Sequence, residues 1–181
     1  GHAASPHLLI DPVLIAAHLL TALQQVSSRR NKPGQPMVLS FGRVIADGAT
    51  NVIPDTVRIE GTLRTFDETW RTQLHTLLPD MARTLARSMG GDVDFEMLKG
   101  SGVVVNEPAL TARMRAAAVA YVGADNVIDM DIRMGAEDFG TYSQVMPACF
   151  FRLGTGNPAK PGTTSGLHRA EFDIDEDALA I

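Results

Sequence analysis

The chain has 181 residues, with 16 Lys+Arg against 21 Asp+Glu for a net charge of −5, and it is 45% hydrophobic and 20% charged. That apolar share excludes disordered and fibrous classes, and an acidic balance without a Lys/Arg run argues against nucleic acid or an anionic membrane as partner. One cysteine, Cys149, can close no internal disulfide, no stretch reaches the ~20 apolar residues of a bilayer span, and the N-terminus lacks a basic-then-apolar leader pattern, so a cytoplasmic location is the default expectation.

Asp11-Pro12 gives an N-cap followed by proline at the first helical position, and Val13, Leu14, Ala17, Leu19, Leu20, Leu23 and Val26 recur at three- and four-residue steps. The spacing predicts an amphipathic helix over 12–29. A loop at 31–36 leads to Met37–Phe41 and Val44-Ile45, read as a strand, and 46–51 reads as a turn. From Thr56 to Thr65 the alternation is strict, with Val57, Ile59, Gly61 and Leu63 on one face and Arg58, Glu60, Thr62 and Arg64 on the other. Asp67 can cap a helix carrying Trp70, Leu74, Leu77, Leu78, Met81, Leu85 and Met89, stopped by Gly90-Gly91, and a short strand is expected at 92–98. With one further strand immediately before residue 1, this order would make a ferredoxin-like βαββαβ sandwich, so the chain is expected to begin inside a domain.

After Gly100-Ser101-Gly102 the pattern changes to an alanine-rich helix near 107–122, short apolar strands between loops, and a last helix from near Asp175. A boundary near residue 103 follows, giving domains 1–103 and 104–181. The second has α/β signals but fewer elements than an independent α/β domain usually needs. The Gly/Pro-rich stretch 154–166 reads as a surface or active-site loop.

Five histidines are candidates for chemistry. His18 and His75 fall on helices and read as structural or surface residues. His2 and His7 sit in Gly1-His2-Ala3-Ala4-Ser5-Pro6-His7, where a spacing of five with a proline between them rules out a helical metal pair. Either they hydrogen-bond their own loop or they face a ligand. His168, after the long loop, is the better metal-ligand candidate, because a neutral imidazole on a loop can turn toward a cleft. Glu137-Asp138 suits a pocket wall and a helix cap equally, while Glu171, Asp173, Asp175, Glu176 and Asp177 read as a solvated helix start. No G-x-S-x-G elbow or phosphate-binding glycine loop is present, and Cys149, within an apolar run, reads as buried and inert. An RNA-binding sheet would need exposed aromatics where strand 56–65 offers Arg58, Glu60, Thr62 and Arg64.

Several segments taken together carry a resemblance: Gly1–His7 with Asp11-Pro12, Asn51-Val52-Ile53-Pro54-Asp55 running into Gly61–Phe66, Met134–Phe139, Leu153-Gly154, and Leu167-His168 with Phe172-Asp173. In order and spacing they resemble the amidohydrolase branch of the dinuclear-metal aminoacylase and carboxypeptidase family, which includes hippurate hydrolases, N-acyl-amino-acid amidohydrolases and auxin-conjugate hydrolases. The resemblance implies a two-domain enzyme of α/β class. Residues 1–103 would be the βαββαβ lid that also dimerises, and 104–181 the C-terminal part of a zinc-peptidase-like catalytic domain. The family's N-terminal segment, with further metal ligands and the glutamate general base, has no counterpart in these residues, so the chain is expected to be inactive alone.

By the same resemblance, His168 would be a metal ligand and His2 the lid histidine that stabilises the oxyanion in the neighbouring subunit's site. Asn51 would touch substrate, Arg64 would pair with its carboxylate, and Glu137 would belong to a pocket motif. The implied reaction is hydrolysis of a small N-acyl amino acid by an enzyme holding two divalent ions (zinc, manganese or similar) and acting as a homodimer, without nucleic acid or membrane. A reading of a different class is a non-catalytic dimerisation or carboxylate-binding module using Asn51 and Arg64. His168 favours the enzyme, since an independent lid needs no metal ligand.

Overall fold

A computed structural model describes residues 1–181, which divide into two compact units, Gly1–Ala148 and Cys149–Ile181. The class is mixed α/β. In the first unit, Asp11 caps helix α1 (Pro12–Leu23), its carboxylate accepting from the amides of Val13 at 2.9 Å and Leu14 at 3.0 Å. The helix is shorter than the periodicity predicts. After Gln24 the chain enters a π turn over Val26–Arg30, and the Ser27 and Ser28 hydroxyls donate back to the Gln24 carbonyl at 3.0 and 3.2 Å. Such side-chain competition for helical carbonyls loosens a regular helix, and the turn leaves Val26 fully buried.

Strands β1 (Met37–Ile45) and β2 (Arg58–Thr65) pair antiparallel, from Met37 opposite Thr65 to Ile45 opposite Arg58. The interruption in the apolar pattern at Gly42-Arg43 is a bulge within one strand, placed where the register shifts between Phe41 and Arg43. One sheet face turns Leu39, Phe41 and Leu63 toward a cluster of Leu23, Val26, Leu74 and Leu78. Gly61 lies opposite Phe41, and a β-carbon there would come within 2.7 Å of the Phe41 ring and 2.6 Å of the Ser40 carbonyl oxygen. Only glycine lets the strands close over that ring.

Helix α2 (Glu68–Ser88) starts at Asp67, whose carboxylate accepts from the Trp70 amide at 2.9 Å and from Gln35 at 3.2 Å. The Trp70 amide is the main cause holding this carboxyl below the usual range. Leu74, Leu78, Ala82 and Ala86, four residues apart, form its buried stripe. Leu74 and Leu78 join the sheet cluster, while Ala82 and Ala86 meet Ile15 and Leu19 of α1. The helix ends as the glycine pair predicts, with Gly90 at φ +84° and the Gly91 amide bonded to the Ala86 carbonyl at 3.0 Å.

Residues 92–98 do alternate, and Val93, Phe95 and Met97 pack half-buried against the two clusters. They carry no ladder, so the expected strand is an extended segment and the sheet has two strands, not the four of a complete βαββαβ sandwich. Beyond it, Val103 donates to the Glu68 carboxylate at 3.1 Å and Arg71 to the Ser101 carbonyl at 2.8 Å, tying this segment to the start of α2. Helix α3 (Pro108–Val122) is capped by Glu107, which accepts from Ala109 and Leu110. The short apolar strands expected after it do not form: Ile128, Met130 and Ile132 are exposed and unpaired, since alternation makes a strand only where a neighbour supplies the ladder. A short helix α4 (Gly140–Ser143) closes on Gly102-Val103, with the Ser143 hydroxyl and the Gln144 amide at the Val103 carbonyl.

The second unit is organised differently. Its buried residues are the polar Thr163 and Asp175, and the helix expected from near Asp175 is a short 3-10 helix, Glu176–Ala180. Cys149 is half-buried rather than enclosed.

Candidate functional site

The N-terminal residues and the turn after β1 are joined by backbone. Gly1 and Ile53 exchange both hydrogen bonds, at 2.5 and 2.8 Å, and the Ala3 amide donates to the Asn51 carbonyl at 3.0 Å. His2 therefore stands opposite Val52 in an antiparallel bridge, and Asn51 sits on the two-residue tip between Ala49 and Val52. Gly48 permits that tip, since a β-carbon there would lie 2.6 Å from the Val52 carbonyl oxygen.

His2 is exposed, and its Nδ1 accepts from the Ala4 amide at 3.1 Å. A ring nitrogen that accepts an amide hydrogen cannot carry its own proton, so the neutral imidazole keeps its proton on Nε2. The loop thus presents an N–H donor outward. The first of the two alternatives left open by the sequence is observed, one ring nitrogen bonding its own loop, and the other nitrogen stays exposed. His7 lies in a short 3-10 turn, Pro6–Leu8, outside this bridge.

Arg64 stands on β2 opposite Val38, on the sheet face away from the apolar cluster. It is half-buried, donates to the Leu63 carbonyl at 2.9 Å and makes no ion pair. On the same face Glu60 is already engaged, by Arg58 at 2.7 Å and Arg43 at 3.0 Å. Arg64 is therefore the cation of this face left to meet an anion. Glu137 is half-buried at the turn into α4, its carbonyl accepting from Gly140 at 3.2 Å, and Phe139 stacks tilted on Tyr142 with ring centroids 5.7 Å apart. An open hollow at the start of α2, lined by Gln35, Pro36, Thr65, Phe66, Asp67 and Glu68, contains none of the five predicted site residues.

His168 belongs to the second unit and is taken within it. It is exposed, and at φ +67° it is the one non-glycine residue of the chain with positive φ. The same unit holds a polar network that the sequence reading missed. Asp175, expected in a solvated helix start, is buried: it accepts from Lys160 on one oxygen and from Asn157 at 2.7 Å on the other, while also capping the Asp177 amide. The Lys160 ammonium and then the Asn157 amide hold its carboxyl down at about 2, and the Asp175 and then the Asp177 carboxylate raise Lys160. The available signal was an asparagine and a lysine inside a Gly/Pro-rich loop facing an acidic run, which does not say which carboxylate is taken inside.

Of the five predicted residues, hydrogen bonds join only the segments of His2 and Asn51. No group of three or more His, Cys, Asp or Glu side chains converges as a metal site requires. The donor set of these residues does not by itself fit a dinuclear centre.

The chain belongs to peptidase family M20/M25/M40, whose profile matches residues 9–181. It is similar to YhaA of Bacillus subtilis, 36% identical over 179 residues, covering 99% of this chain and 45% of YhaA. It is also 33% identical over 179 residues to the N-acetyl-L-cysteine deacetylase of Bacillus subtilis, covering 99% of this chain and 41% of that protein. A crystal structure of a Bacillus subtilis dinuclear metal-binding peptidase of the M20 family superposes with a TM-score of 0.68 at 28% identity, over 94% of this chain and 43% of the other. The chain thus spans less than half the length of these relatives, and no helix in it is long and apolar enough to cross a membrane.

Proposed function

We propose that these residues serve a metal-dependent amidohydrolase that cleaves the amide bond of small N-acyl amino acids. The observation that carries the reading is the His2–Val52 bridge, which holds an outward Nε2–H donor beside Asn51 on a braced turn. The similarity to an N-acetyl-L-cysteine deacetylase supports the substrate class. In this reading residues 1–103 form the lid and dimerisation domain and 104–181 the C-terminal part of the catalytic domain of a cytoplasmic homodimer. His2 donates to the oxygen on which negative charge develops, in the neighbouring subunit's site, a contact stronger in the transition state than in the ground state. Asn51 orients the acyl group, Arg64 holds the substrate carboxylate with its bidentate fork, and Glu137 lines the pocket. His168 would hold one of a pair of divalent ions such as zinc or manganese, the remaining ligands coming from outside these residues. Such ions would supply Lewis-acid polarisation and an activated water.

The test is turnover of an N-acetyl amino acid by metal-loaded active enzyme containing this chain. His2→Ala is expected to lower kcat by about 10²–10³-fold, the cost of one oxyanion donor, and Arg64→Leu to raise KM with kcat little changed. His168→Ala should abolish metal-dependent turnover. An unchanged kcat in His2→Ala overturns the reading. The isolated 181-residue chain, holding at most one ligand, is expected to show no turnover, and metal-dependent hydrolysis of hippurate by it would refute that assignment.

A further inference from the structure

The second unit contains a loop within a loop. The outer neck is polar: the Asp175 amide donates to the Thr155 carbonyl at 2.9 Å, Asn157 donates to the Asp175 carboxylate, and Lys160 bridges Asp175 and Asp177, the latter at 2.8 Å. Thr163, buried, sits under it, its hydroxyl 2.7 Å from the Asn157 carbonyl and accepting from the Asn157 amide at 2.9 Å. The inner neck is backbone: the Gly162 carbonyl accepts from Ser165 at 3.0 Å and from Asp173 at 3.2 Å. Gly162 has φ +81°, and a β-carbon on it would lie 2.6 Å from the Glu171 carbonyl oxygen, so the two sides of the inner loop meet at closest approach. His168 lies midway round that inner loop, in the left-handed conformation that a non-glycine residue keeps only when its surroundings hold it there.

We propose that Lys160, Asp175 and Asn157 are positioning residues for His168: they close the outer neck and so set the two ends of the loop that presents its imidazole. The proposal rests on the reading of His168 as a working residue. The energetic weight falls on Asp175. Lys160 is about half exposed, and an exposed ion pair alone contributes little. The Asp175 side chain, however, is 12% exposed with both oxygens engaged, and a carboxylate so enclosed must stay hydrogen-bonded and paired or leave the interior. Removing the lysine leaves an uncompensated charge, and the cheapest relief is to open the neck. This unit has no buried apolar residue, so its closure rests on these polar contacts and a few backbone hydrogen bonds.

The experiment is NMR on the metal-free 181-residue chain, comparing Lys160→Met and Lys160→Arg with the parent. Lys160→Met is expected to speed amide exchange at Asp173 and Ser165 at least tenfold and to move the His168 backbone and ring signals away from their left-handed values. The Ala3 and Ile53 amides of the first unit should stay unchanged. Lys160→Arg should restore the His168 signals, which a general loss of stability would not explain. Should Lys160→Met leave the second unit unfolded, Asp175→Asn, which keeps the shape and the Asn157 partner, is expected to give a smaller displacement of the same signals. His168 signals unaltered in both folded variants overturn the proposal. Since the readout involves no turnover, its failure is separate from that of the proposed function, which His168→Ala tests by activity.

Discussion

Gly140 offers the sharpest perturbation of the first unit. It is buried at the start of α4, and a β-carbon built on it would run into the Gly102 carbonyl oxygen, with the Gly102 carbonyl carbon at 2.9 Å and that of Val103 at 3.4 Å. Ordinary carbon contacts begin near about 3.5 Å, so Gly140→Ala must push the two backbones apart by on the order of 1 Å. Three hydrogen bonds cross that junction: Val105 to the Ser143 hydroxyl at 3.2 Å, the Ser143 hydroxyl to the Val103 carbonyl at 3.3 Å, and Gln144 to the same carbonyl at 2.9 Å. At about 0.5–1.5 kcal/mol each, their loss costs about 1.5–4.5 kcal/mol. The assay is urea unfolding, with Gly135→Ala as control, because a β-carbon at Gly135 meets nothing within 4 Å. Loss of most of this stability in Gly140→Ala, with exchange of the Gly140 amide quickened, is the expected result. A Gly140→Ala protein as stable as Gly135→Ala refutes the reasoning. The structural consequence is local, at the turn that carries Glu137.

Leu74→Ala, at the wholly buried centre of the sheet cluster, is expected to cost about 2–5 kcal/mol by chemical denaturation. Asp175 has a folded value near 2, below the ordinary 3.8, so its contribution is complete above the ordinary value and is lost as pH falls through 2. The Asn157 and Thr163 amide signals should therefore report the second unit loosening over that window and not at pH 5. Lys160, raised above its ordinary value, contributes fully below 10.5, and its share fades only at higher pH. His168→Gly should be more stable than His168→Ala by about 1 kcal/mol in thermal unfolding, because glycine adopts φ +67° without the cost borne by a β-carbon.

Local signals were legible wherever a short stretch settles its own conformation. Asp11 and Asp67 do cap the helices their positions announce, Gly90-Gly91 stops α2, and the alternation in 58–65 is the strand β2. The pattern at 92–98 is equally real, since Val93, Phe95 and Met97 point to the core, yet it makes no strand because the ladder belongs to two segments and the alternation to one. At the candidate site the motifs singled out His2, Asn51 and His168 as candidates, and the structure joins the segments of the first two. What they left open was how His2 serves its loop and its outward face at once, which follows from a single hydrogen bond to Ala4.

The sequence by itself determined the family, the caps, the apolar stripe of α2 and the residue types that could hold an oxyanion, a carboxylate or a metal, because these depend on neighbours a few positions apart or on motifs in fixed order. Tertiary structure alone decided that Gly1–Ala3 lies along Asn51–Ile53, that Arg58 and Arg43 take Glu60 and leave Arg64 free of an ion pair, and that Asp175, among five acidic residues, is the one drawn inside by Lys160. The contacts of Gly1–Ala3 with Asn51–Ile53, of Arg43 with Glu60 and of Lys160 with Asp175 join groups 15 or more residues apart. Chain composition cannot rank such partners, because burial and distance set the energy of every pairing.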